Sequence, residues 1–124
     1  MTIAYWCVVV AIFLPYIFTV LAKTGSGFDN HNPRKYLSEL TGWRYRANQV
    51  QLNSFEALPA FGLAVIIAHL LHAAQSSLDT LALSFIIARV IYGICYISDR
   101  AALRTLAWGA GMACVIGIFC ISVA

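Results

Sequence analysis

Arg46, Gln49, Asn53 and Glu56 fall at i, i+3, i+7 and i+10, the spacing that lines one face of an α-helix. The stripe runs from a guanidinium through two amides to a carboxylate. A purely structural ion pair does not need that gradient, whereas a zwitterionic or polyanionic ligand approaching from the basic end matches it. Arg89, Tyr92 and Tyr96 repeat the pattern at i, i+3 and i+7, and Arg104 and Thr105 open the last apolar stretch. The planar guanidinium of Arg104 suits a carboxylate or a thiolate held between helices.

These groups need elements that place them together, and composition says what kind. Of 124 residues, 61% are hydrophobic and 10% charged, against about 25% charged in a soluble domain. With a mean hydropathy of +0.80, the solvent for much of this chain is lipid. Four apolar segments emerge, Ile3–Leu21, Trp43–Ala73, Leu78–Ile97 and Ala102–Val123, each long enough for a membrane span of about 20 residues. The first has no basic region before it and is longer than a signal-peptide core, so it reads as a retained helix. Lys23–Gly42, rich in Gly, Asn, Pro and Ser, reads as a loop in which Ser38–Gly42 begins the next helix or forms a short turn. The other two links are short and predict antiparallel neighbours. The predicted fold is an all-α integral membrane protein, a four-transmembrane-helix up-down bundle, with residues 1–124 as one domain.

Charge placement sets the orientation. Lys23, Arg34, Lys35, Arg44 and Arg46 flank the first link, and Arg100 and Arg104 the third. The positive-inside rule puts both links in the cytoplasm and both termini outside it. The eighth basic residue, Arg89, lies within the third segment, roughly 12 Å above its cytoplasmic end, and Glu56 lies roughly 13–15 Å deep in the second. Charges at that depth face a bundle interior and find partners, so an ion pair between Glu56 and Arg89 is expected. Cys7, Cys95, Cys114 and Cys120 all sit in apolar runs, behave as small hydrophobes, and predict no disulfide. His69 and His72 lack a third ligand and read as interfacial rather than metal-binding. No Ser/His/Asp or Cys/His set matches in depth, no glycine loop suits phosphate, and membrane-flanking cations do not read as a nucleic-acid surface.

RANQVQLNSFEALPAF resembles the second-helix signature of the MAPEG family, the membrane-associated proteins in eicosanoid and glutathione metabolism, in its bacterial branch. Arg46, Ala47, Asn53, Ser54, Glu56, Ala57, Pro59 and Phe61 carry the match. ARVIYGICYISDRAALRT looks like the third-to-fourth-helix signature through Ala88, Arg89, Tyr96, Arg104 and Thr105. The resemblance implies a homotrimer in a bacterial inner membrane, with glutathione as co-substrate between subunits near the cytoplasmic side. It assigns Asn53 and Glu56 to the polar backbone of glutathione, Tyr92 and Tyr96 to the lining, and Arg104 to the thiolate. Thr105 stands where some members have serine, and Arg89 matches an arginine beside the glutamate. Leu52 and Gln49 replace cations of other branches.

The function this implies is a glutathione-dependent transferase or peroxidase acting on lipophilic small molecules that arrive from membrane lipid. Arg104 stabilises the thiolate, with Thr105 or Tyr96 donating to the same sulfur. The alternatives are a non-catalytic lipid-binding or scaffold homologue and a small multidrug transporter. In that transporter family the intramembrane glutamate lies in the first helix, which here carries no charge between Met1 and Ala22.

Overall fold

The computed structural model describes residues 1–124. Helices α1 (Ile3–Ala22), α3 (Gly42–Leu70), α4 (Gln75–Ile97) and α5 (Ala101–Ser122) are long and apolar enough to cross a membrane. A short α2 (Pro33–Ser38) interrupts the first link. Composition predicts a loop here, with Ser38–Gly42 beginning the next helix or forming a short turn; the structure instead forms a helical turn over Pro33–Ser38 and begins the next helix at Gly42. Pro33 opens α2, where its missing N–H is no loss. Leu37 anchors the turn by packing with Ala22 and Ala47.

The second span ends sooner than its hydropathy suggests. His72 adopts φ 57°, and Ala73 N–H donates to Ala68 O at 2.9 Å, closing α3 at Leu70. Asp99 repeats the device after α4, with φ 59° and Arg100 N–H bonded to Cys95 O at 2.8 Å. In each case a left-handed residue past the helix end satisfies a terminal carbonyl. Both reversals are tight, so consecutive spans run antiparallel.

Helix α1 packs along α3, and α4 along α5. Between the pairs lies a dry core, in which Phe61 and Phe85 stack with centroids 4.0 Å apart. Small residues let the helices approach, since without a hydrophobic drive between helices close packing holds spans together. At Gly93 a Cβ would fall inside the Phe18 ring of α1. Trp6, Phe13, Ile17, Leu63, Ile87, Leu106 and Ile116 point outward, where lipid is their solvent.

The end of α1 remote from the basic links is fastened through polar groups. Asp79 accepts from Ala4 N at 2.8 Å and from Gln75 Nε2 at 2.7 Å. A carboxylate at a helix N-terminus meets free N–H groups and a favourable dipole. His69 stacks on Tyr5 at 3.8 Å and contacts Thr2 Oγ1 at 2.9 Å, while His72 turns away in the left-handed reversal.

Candidate functional site

The polar stripe of α3 meets α4 one turn below the Phe61–Phe85 stack. Arg89 is 4% exposed, and a guanidinium that deep needs acceptors. Its Nη2 donates to Asn53 Oδ1 at 2.8 Å and to Ser54 Oγ at 3.4 Å. Asn53 Nδ2 in turn donates to Glu56 Oε2 at 3.3 Å. The direct Glu56–Arg89 pair expected from depth is therefore replaced by a relay. Asn53 and Ser54 lie between the charges and take the guanidinium, while Glu56 stays on the exposed side of α3.

On its other side Arg89 begins a ladder of cations and rings. Its guanidinium carbon lies 4.3 Å from the Tyr92 ring centroid. Tyr92 and Tyr96 meet edge to face at 5.8 Å and 78°. Arg104 lies over Tyr96 at 4.5 Å. Each cation over a ring face gains from the ring quadrupole, more so where water is excluded. Four residues on two helices are thus held in fixed order from the buried Arg89 to the half-exposed Arg104.

Tyr92, Tyr96, Arg104 and Thr105 line one open cleft of about 270 Å³, together with Trp108. Thr105 Oγ1 donates to Ala101 O at 3.1 Å, so its proton is engaged within its own helix and the hydroxyl keeps only acceptor capacity. That leaves the Tyr96 hydroxyl as the donor beside Arg104, which narrows the two donors expected from sequence to one. Arg46 stands apart from this cleft. Its Nε donates to Ile97 O at 3.0 Å, where a cation meets an unsatisfied carbonyl at the end of α4.

Two features escaped the sequence reading. Trp108 lies at i+4 from Arg104 and joins it on the cleft; that spacing was the available signal. A second polar cleft of about 470 Å³ opens beside α2 and α3, lined by Arg34, Ser38, Asn48 and Gln51 among others. Gln51 Oε1 is buried there without a hydrogen-bond partner. Asn48 and Gln51 lie at i and i+3 on a face of α3 about 140° round from the Asn53–Glu56 stripe, from the rotation per residue.

Four spans with a charged relay at membrane depth and a cation–aromatic cleft at one end define an integral membrane helical bundle with a polar site. The MAPEG family model matches residues 3–124, and the chain belongs to that family. Neither the curated proteins nor the solved structures yield a significant match.

Proposed function

We propose that this protein is a glutathione-dependent transferase or peroxidase working as a homotrimer on lipophilic substrates. The observation that carries the reading is the ladder from Arg89 to Arg104, which ends in a cleft holding a cation and a free hydroxyl donor. Family membership supports it.

What a single chain leaves uncovered supports assembly with further copies. Glu56 is exposed in the middle of a span, and an acidic side chain facing lipid costs about 2.5–3.5 kcal/mol. The Gln51 cleft needs polar cover on a different face. Contact between two unlike faces is heterologous, and such contacts form a ring where the rotation closes; three copies is the number that the family resemblance implies. In that ring Glu56 and Asn53 face a neighbouring subunit and are placed to hold the amine and amide groups of a peptide thiol. A cleft of about 270 Å³ on one subunit takes part of a tripeptide, and the neighbouring face supplies the remaining polar contacts.

In the mechanism Arg104 faces the sulfur and favours its ionised form, because an adjacent cation stabilises the charged state. The uncapped start of α5 adds N–H groups of the same sign. Tyr96 donates a hydrogen bond from its hydroxyl to the sulfur and fixes its position. Thiolate and an electrophilic carbon then form a C–S bond as the leaving group departs with its electron pair. With a hydroperoxide, the sulfur takes the distal oxygen and the alcohol leaves. A second thiol then closes the disulfide and releases water. The lipophilic partner reaches the cleft from the bilayer.

Titrating the purified protein with glutathione while following thiolate absorbance tests this reading. Bound thiol should ionise on the order of one to two pH units below free thiol, so the band appears at lower pH. Arg104→Ala should move the band back up and remove most conjugation to a generic electrophile, while mass measurement in nanodiscs still finds a trimer. Arg104→Lys should recover part, since an ammonium lacks the planar fork. Binding without a thiolate band, and unchanged by Arg104→Ala, would leave the non-catalytic scaffold reading in its place.

A further inference from the structure

A third concavity lies on the opposite side of α5 from the Arg104 cleft. It is an outward-facing groove between α4 and α5 of about 500 Å³. Its floor includes the buried Ala88 and Ala107, and its walls include Ile87, Ile91, Leu103 and Leu106, between 47% and 70% exposed. Small residues below and large branched ones on either side make a slot rather than a flat helix face. Ser84 is its polar residue, and that hydroxyl is already bonded to Thr80 O at 2.8 Å. Nothing in the slot recognises a polar ligand.

We propose that this groove holds one acyl chain of an anionic phospholipid, with the phosphate at Arg100. Two observations select that occupant. The first is length. Ser84 and Cys95 mark its extent along α4, and eleven residues of helix rise roughly 16 Å. One leaflet of hydrocarbon is about 15 Å deep, half of a 30 Å core. The groove thus spans one leaflet and stops. The second is charge at its mouth. Arg100 N–H donates to Cys95 O, which places Arg100 directly below the end of the groove. Arg100, Leu103, Ala107 and Ala110 follow i, i+3, i+7 and i+10, so the arginine heads the α5 stripe that lines the slot. Its side chain is exposed and makes no capping bond to α5. Arg44, Arg46 and Arg104 lie at the same end of the bundle but are turned to Trp43, Ile97 O and Tyr96 respectively, which leaves Arg100 as the cation at the mouth of the groove.

The groove is separate from the proposed catalytic cleft. Arg104, Thr105 and Trp108 line the cleft, whereas Leu103, Leu106 and Ala107 line the groove. A resident lipid there does not compete with the thiol, and this inference stands whether or not the protein is an enzyme.

Native mass spectrometry of the detergent-solubilised protein, titrated separately with phosphatidylglycerol and phosphatidylcholine, tests it. The wild type should bind phosphatidylglycerol about five-fold more tightly, the value of one arginine near an anionic head group. Arg100→Gln should bring the two lipids level without altering phosphatidylcholine binding. Ala110→Phe should fill the slot and weaken both. Equal binding of the two lipids by the wild type would overturn the head-group assignment. Unchanged lipid binding in Ala110→Phe would overturn the groove. A change in oligomer mass in Ala110→Phe would mean that a second copy, not a lipid, covers this face.

Discussion

The two halves of the bundle are built on different rules. In the half remote from the basic links, Phe61, Val65, Leu78, Phe85 and Ile118 interlock around a dry stack, and each is at most 3% exposed. In the other half, one turn along α4 from Phe85, the buried guanidinium of Arg89 is ringed by Asn53, Ser54 and Tyr92. The dry half is held by shape and dispersion, which tolerate small adjustments. The polar half is held by directional bonds, and each group there keeps a neighbour satisfied. A site that must present charge in a membrane needs both. The stack fixes α3 against α4, and the relay uses that register to carry Arg89 and the ladder beyond it to Arg104.

The largest effects should come from breaking each half in turn. Phe61→Ala leaves a cavity and should cost about 3–5 kcal/mol. Arg89→Ala leaves the buried Ser54 and the Asn53 carbonyl without their donor and should cost about 1–3 kcal/mol for each bond left unmade. Thermal melting in detergent measures both. They should differ in chemistry: the folded fraction of Phe61→Ala keeps its thiolate band with glutathione, and Arg89→Ala loses it. If both variants lose the band equally at matched folded fraction, the division between the halves does not hold.

The next effect sharpens the polar half. A charge-assisted hydrogen bond contributes about 1.5–3 kcal/mol, so a double-mutant cycle between Arg89 and Asn53 should show coupling of that order. The cycle between Arg89 and Glu56 should show clearly less, because Asn53 stands between them. Stronger coupling of Arg89 to Glu56 than to Asn53 would restore the direct ion pair. The smallest effect belongs to Arg46. Replacing it with Gln removes one bond to the end of α4 and should lower stability by about 0.5–1.5 kcal/mol. Because Arg46 lies outside the cleft, the midpoint pH of the thiolate band should stay within error of the wild type.

Four spans, their polar stripes and the clustering of basic residues at one end were legible in the sequence. Each is local: hydropathy over one segment, periodicity along one helix, or charge beside a link. Thr105 is one of two donors to the sulfur expected from sequence, but its proton goes to Ala101 O; the habit of helical serine and threonine of bonding the carbonyl four residues back was the signal against that expectation. Which acceptor takes Arg89 was not legible. Depth arithmetic brought Arg89 level with Glu56, but only the rotation of α3 against α4 decides that Asn53 and Ser54 reach the guanidinium first. The end of α3 was equally hidden, because Leu71, His72 and Ala73 continue the apolar run while a left-handed His72 turns the chain. Trp108 beside Arg104 was available from its i+4 spacing on α5, but the second cleft around Gln51 and the groove above Arg100 depend on how neighbouring helices approach. Sequence periodicity assigns a side chain to a face, but the packing of one helix against the next decides what that face meets.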